Sequence, residues 1–303
     1  MSSDLAGLLM GLGSALGASL SYLCSRHYYA ATNRGAWSLF GMAHLQMGVF
    51  AVLLLPFVVG GNLGPLRTWL PALSGCAIFY LAAQCLLFQA LREADASQVA
   101  PLIGLKIPVL ALASPWILGL AVTPGGWVAV GLCVAAGFLI SPPKRLTHLR
   151  PLLLMLLTCC GYAASDLCIG ALIRELRQGG AAMPALLAVT FSYILTGVIG
   201  AGVVLGRREM TGWSRQLHAL PFSVTWFSSM ILLFLCFARI GVVYGAMAQS
   251  VRGILNVIIG AVIARLGWQH LDNLRSNRLL LQRGAGALLM TLAILLYQYT
   301  RVA

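Results

Sequence analysis

Ten apolar runs, each close to the length of one bilayer crossing, follow one another along this chain with only short breaks between them. A crossing takes about 20 mostly apolar residues. That ruler gives 5–24, 37–59, 69–91, 98–121, 125–140, 151–173, 183–205, 217–238, 243–264 and 279–299. The separators carry chain breakers: Gly60-Gly61-Asn62 with Pro65, Thr123-Pro124-Gly125-Gly126, Ser141-Pro142-Pro143-Lys144-Arg145, and Gln178-Gly179-Gly180. None is long enough to hold a soluble domain. Of 303 residues, 60% are hydrophobic and 9% charged, whereas a soluble domain carries roughly 25% charged residues. The sequence predicts an all-α membrane protein of ten transmembrane helices.

The net charge is +13, from 20 Lys plus Arg against 7 acids. In an apolar chain such an excess sits in short loops facing anionic lipid, so membrane lipid is the expected partner and nucleic acid is not. All 8 cysteines lie inside or at the ends of apolar stretches, without a C-x-x-C pair, and read as small packing residues. Met1-Ser2-Ser3-Asp4 lacks the positive region of a secretory signal, and the run after it is too long for one; it is expected to stay as the first membrane helix.

The chain also matches itself. Shifted by 146 residues, Ser14-Ala15-Leu16-Gly17-Ala18-Ser19 falls on Cys160-Gly161-Tyr162-Ala163-Ala164-Ser165, and Lys106 falls on Arg252. A shift of 147 puts Phe79-Tyr80 on Trp226-Phe227 and Ala90-Leu91-Arg92 on Phe237-Ala238-Arg239. The fifth and tenth runs match after a small insertion around Gln269-His270-Leu271-Asp272-Asn273. Five crossings is an odd number, so two halves joined directly have opposite orientations. The expectation is a 5+5 inverted repeat, residues 1–145 and 146–303, the layout of many secondary transporters.

The passage Gln89-Ala90-Leu91-Arg92-Glu93-Ala94-Asp95-Ala96-Ser97-Gln98-Val99-Ala100-Pro101-Leu102-Ile103, followed by Pro108, resembles the helix three to helix four passage of the EamA-type branch of the drug/metabolite transporter superfamily. Phe237-Ala238-Arg239, Gly245-Ala246-Met247-Ala248-Gln249-Ser250 and Gly284-Ala285-Gly286 fit the same pattern in the second half. The chain departs from it where an acidic residue usually follows Leu-Gly, reading Leu118-Gly119-Leu120 and Leu266-Gly267-Trp268, and at Lys106. The resemblance implies a membrane transporter of small molecules rather than an enzyme, with both termini in the cytoplasm. The expected location is the bacterial inner membrane.

A charge at mid-membrane costs about 2.5 to 3.5 kcal/mol on insertion scales, so each one needs a reason. Three qualify: Lys106 in the fourth run, Asp166 in the sixth and Arg252 in the ninth. The repeat brings Lys106 and Arg252 toward one another. Gly245, Gln249, Arg252 and Asn256 share one helical face. Together with Asp166 the two cations leave one net positive charge, which a carboxylate or phosphate would neutralise, and arginine offers a bidentate fork to either group. The arrangement is similar to the basic residues on the fourth and ninth helices of nucleotide-sugar and sugar-phosphate translocators, which bind substrate phosphate. The expected substrate is a small organic anion or phosphorylated compound, with a proton or a counter-substrate as coupling partner. The competing reading pairs Arg252 with Asp166, leaves Lys106 to carbonyls, and makes all three structural. Asp166 is expected as a fixed counter-ion rather than a proton carrier.

Tyr22, Tyr80, Tyr162 and Trp226 lie in runs that flank such a pocket, where stacking on substrate competes with ordinary packing. His44 has no second His, Cys or acid three or four places away, so no metal is expected, and no cofactor motif is present. Gly11, Gly13 and Gly17 follow no strand and read as helix-packing residues rather than a phosphate loop. Besides the anion carrier, export of amino acids or related neutral metabolites and flipping of a lipid-linked phosphate remain open. Orientation is contested: with termini inside, the inner side would hold only Arg67, Arg174, Arg177, Arg239 and Arg301, while most other cations would lie outside, against the positive-inside rule.

Overall fold

The computed structural model describes residues 3–32, 35–93, 100–119, 122–140, 149–206, 213–252, 255, 259 and 277–302. Among them are ten α-helices: α1 Ser3–Thr32, α2 Ala36–Val58, α3 Leu66–Glu93, α4 Lys106–Leu118, α5 Pro124–Ile140, α6 Leu149–Gly179, α7 Pro184–Gly206, α8 Trp213–Ile240, α9 Val242–Ser250 and α10 Asn277–Val302. A 3₁₀ turn, Ala100–Leu105, leads into α4. No strand forms among the described residues beyond a single bridge between Gly61 and Ala181.

Among the described residues, six stretches are long and apolar enough to cross a membrane: Asp4–Thr32, Ala36–Val58, Leu66–Leu87, Leu153–Gly179, Pro184–Gly206 and Gln216–Ile240. Their outer faces carry bare apolar side chains, Phe57 at 79% exposure and Leu205 at 75%, a surface suited to lipid rather than water. The other four expected crossings are shorter or only partly described. Ile103–Leu118 and Pro124–Leu139 are short apolar helices. Gly119 stops α4 by turning into the left-handed region at φ 69, where its N–H caps the carbonyls of Ser114 and Pro115. In α10 the apolar stretch is Leu288–Tyr297, because Arg278, Gln282 and Arg283 occupy its first turns. The remainder of 243–264 beyond α9, like Leu266-Gly267-Trp268 and the 269–273 insertion, lies almost wholly outside the described residues.

The described residues form two compact units, Met1–Leu81 with Cys168–Ile240, and Ala82–Leu167 with Gly241–Ala303. This division runs across the sequence halves 1–145 and 146–303, since each unit takes helices from both. Helices α3 and α6 pass from one unit into the other, and the chain crosses again at the joint between α8 and α9. That joint is one residue, Gly241, at φ 83 and ψ 165, a region only glycine enters without strain. Its neighbourhood is open, so only backbone strain opposes a side chain there. Gly241→Ala should lower stability by about 1 to 3 kcal/mol, seen as a lower thermal unfolding midpoint in detergent.

In the first unit, α1 packs on α8 and α2 on α7. Small residues permit both contacts. Ser229 on α8 donates to the Ser14 carbonyl at 2.7 Å, and a Cβ added at Gly17 would stand 2.9 Å from the Ser229 Cβ. Gly13 likewise faces Leu232, so Gly13 and Gly17 serve helix packing. Between α2 and α7 the backbones themselves meet: a Cβ at Gly48 would lie 2.7 Å from the Gly197 Cα. In the second unit, α5 packs on α10, with the Cys133 thiol on the Met290 sulfur at 3.2 Å. Leu87 and Ala90 of α3 meet Met155 of α6, with Ile103, Phe138 and Tyr162 around them. Tyr244 of α9 stacks on Tyr297 of α10 at 5.5 Å between ring centres.

Candidate substrate site

Helix α4 begins at Lys106, directly after the 3₁₀ turn. Its side chain is buried at 8% exposure, as are Asp166 on α6 at 7% and Gln249 on α9 at 3%. The Lys106 ammonium donates to Asp166 Oδ2 at 2.9 Å and to Gln249 Oε1 at 3.2 Å. One cation thus ties three helices of the second unit together. A charged donor at such distances makes strong hydrogen bonds, and removing either member of a buried pair leaves the other without its partner.

Cys159 lies two turns before Asp166 on the same face of α6. Its thiol meets the Lys106 backbone and lies within electrostatic reach of both Lys106 and Arg252. Both cations of the repeat therefore act on one buried spot of the second unit. Arg252 itself is half-buried, just past the end of α9. Asn256 falls outside the described residues. Where the competing sequence reading matched Arg252 to Asp166, the lysine occupies that carboxylate.

Tyr22, Tyr80 and Trp226 belong to the first unit. Tyr22 and Trp226 meet edge to face at 6.4 Å, and Phe222 stacks on Trp226 at 5.8 Å. The Trp226 indole donates to the Tyr193 hydroxyl at 2.9 Å. Tyr80 meets His44 Nε2 at 3.1 Å. Tyr162, by contrast, packs in the second unit against the Leu87 and Met155 cluster. Sequence reasoning missed three participants: Cys159, Tyr193 and the role of His44. Cys159 was within reach of a helical-face argument, seven places before Asp166. His44 was judged by neighbours on its own helix, while its partner stands 36 residues away. Both its ring nitrogens have partners, Nδ1 the Phe40 carbonyl at 2.8 Å and Nε2 the Tyr80 hydroxyl.

With this geometry in place, the comparisons with known proteins are informative. A family model matches from the first helix through the fifth. Residues 5–141 match the model of the EamA-like transporter family. EamA proteins form part of the drug/metabolite transporter superfamily and are transporters of small molecules, in line with a non-enzymatic chain. Together with the apolar helices, the EamA match makes this an integral, multi-pass membrane protein. No curated protein matches the sequence. A protein of known crystal structure superposes with a TM-score of 0.68 at 14% identity, over 97% of this chain and 96% of its own. At that identity only the fold is shared, but the coverage extends well past residue 141, so the part beyond the EamA match also follows a known architecture.

Proposed function

We propose that the chain is a secondary carrier of a small organic anion or phosphorylated metabolite, working by alternating access in a bacterial inner membrane. Ten crossings in a 5+5 inverted repeat are the frame of this reading. Pairwise packing of α2 on α7 and of α5 on α10 supports it, because an axis relating residue i to about i+146 makes these helices mates. The observation that carries the substrate class is that Lys106, bonded to Asp166 and Gln249, and the half-buried Arg252 both lie within electrostatic reach of the buried Cys159. The net charge of these groups is one positive, which an anionic group completes. In the working cycle Lys106 and Arg252 bind that group, Gln249 and Asn256 add hydrogen bonds, and Asp166 holds Lys106 in place. A proton or a counter-substrate supplies the coupling.

Uptake of labelled organic anions and sugar phosphates into proteoliposomes tests this. Arg252→Ala and Lys106→Ala should each reduce uptake at least about 10-fold, the worth of one charge-assisted hydrogen bond. Unchanged uptake in both variants refutes the assignment. The Lys106 to Asp166 ion pair favours one alternative, export of neutral metabolites such as amino acids, with the pair acting only as a strut.

A further inference from the structure

Apart from the Lys106 site, the first unit contains a second buried polar assembly, and elementary donor and acceptor rules fix its direction. The His44 ring, 3% exposed, places Nδ1 2.8 Å from the Phe40 carbonyl. A carbonyl only accepts, so Nδ1 carries the hydrogen and Nε2 holds a lone pair. Tyr80 therefore donates its O–H to Nε2 across 3.1 Å. Its oxygen is in turn hydrogen-bonded by Tyr193. The Tyr193 oxygen accepts from the Trp226 indole at 2.9 Å, and an indole N–H can only donate. The chain runs one way, Trp226 to Tyr193 to Tyr80 to His44 to the Phe40 carbonyl. A donor-only group closes one end and an acceptor-only group the other. Four helices, α2, α3, α7 and α8, are joined by it.

Such a chain has no vacancy for one more proton. We propose that His44 is a proton-binding site, and that a proton taken up at Nε2 reverses its bond to Tyr80 and leaves the hydrogen-bonded chain joining α2 and α3 to α7 and α8 one acceptor short. In that step a proton from hydronium forms an N–H bond at the Nε2 lone pair, leaving water, and the hydrogen bond from Tyr80 gives way to one from Nε2–H to the Tyr80 oxygen. Covalent bonds elsewhere are unchanged. Tyr80 then faces a donor and must turn its own hydrogen toward a new acceptor. Trp226 cannot serve, since an indole N–H only donates, and Tyr193 can serve only by turning its own hydrogen elsewhere, which alters its bond with Trp226.

Among the described residues, the groups around the ring offer the new charge no counter-ion. From α3 it meets Tyr80, with the Cys76 thiol close to Tyr193. From α7 it meets the backbone at Gly197 and Gly200, beside Tyr193. Helix α8 contributes Trp226 behind Tyr193, and Ser223 and Gln216 on the neighbouring Gln46. On the α1 side Tyr28 bonds Ser38. None of these groups is a carboxylate. Charge on His44 therefore goes with a parted, hydrated arrangement of the four helices, and the packed arrangement goes with its release. That is a proton-driven switch, which rests on the transporter family alone and not on the anion reading.

The test uses the full chain in liposomes with ¹⁵N-labelled His and Trp, observed by solid-state NMR after sequential assignment. At alkaline pH the His44 spectrum should show protonated Nδ1 and bare Nε2. On acidification both nitrogens become protonated, and the Trp226 indole signal shifts over the same pH interval. In Tyr80→Phe protein, His44 should still titrate while the Trp226 signal stays still. The opposite tautomer at alkaline pH, a silent Trp226 in the wild type, or an undiminished Trp226 response in Tyr80→Phe each overturns the proposal. The first two readouts need no variant that could fail to fold. Anion uptake lost on Lys106→Ala with a silent Trp226 would sink this switch and leave the carrier reading standing.

Discussion

Asp166→Asn should destabilise the protein by about 3 to 5 kcal/mol, the usual cost of removing one member of a buried ion pair, and adding Lys106→Gln should recover most of that loss. The reason lies in the charge count around Cys159. With Asp166 ionised, Lys106 has its counter-charge at 2.9 Å. In the single variant Lys106 and Arg252 both bear on the same buried spot, with the carboxylate gone. In the double variant an amide faces an amide, the hydrogen-bonding shape is kept, and the repulsion disappears. Thermal unfolding in detergent, run on the wild type, both singles and the double, gives the four corners of the cycle. A double no more stable than Asp166→Asn alone would mean that the pair does not couple.

Transport by the same four proteins separates function from scaffolding. If Lys106 binds the substrate anion, the double variant is stable and does not carry anions, because stability needs only a matched pair while binding needs the ammonium. A double variant that folds and still takes up anions reduces the pair to a strut, and the neutral-metabolite reading gains. No residue other than these two needs to change for the decision.

How much of this was legible in the sequence depends on what the sequence pattern measures. Apolar runs report where lipid or core can be, and the limits of α2 and α7, Ala36–Val58 and Pro184–Gly206, lie one residue from the expected 37–59 and 183–205. Helix α6 was read too short, ending at 173 rather than Gly179. Arg174, Glu175, Arg177 and Gln178 continue the helix after the apolar run ends, and hydropathy reports the solvent rather than the backbone. Helix α4 was read too long for the opposite reason: Ala100–Leu105 are apolar but wound as a 3₁₀ turn, which the same residues do not distinguish from α.

The candidate site follows the same logic. Lys106, Asp166 and Gln249 were visible as polar groups in apolar surroundings, a property of each residue and its neighbours. Their pairing was not visible, because the partners are 60 and 143 residues apart and helical periodicity relates positions within one helix only. The self-match of the chain was the one long-range signal, and it pointed Lys106 and Arg252 at the same place. It held no information on His44, whose bond to Tyr80 joins α2 and α3 within one half. The division into compact units was equally invisible, since an apolar face does not name the helix that will cover it.

Gly197→Ala should be among the most damaging single substitutions in the chain, while Gly202→Ala five residues along the same helix should be harmless. The new methyl at 197 would stand 2.6 Å from the Gly48 Cα and 3.3 Å from the His44 carbonyl. Neither is a flexible side-chain end that can swing away, so α2 and α7 must separate along their whole crossing. Overpacking of this kind costs about 1 to 3 kcal/mol even where side chains can yield, and here only backbone is available to move. The crossing also carries His44 between Gly41 and Gly48, so separation pulls its ring from Tyr80 as well. At 202 a methyl meets nothing within 4 Å, and alanine is the better helix former by about 1 kcal/mol. Composition, helix and chemical change are identical in the two variants, so a difference in their thermal midpoints isolates the close approach. Equal midpoints would mean that α2 and α7 are not in contact at Gly48, and the packing that positions His44 would have to be redrawn.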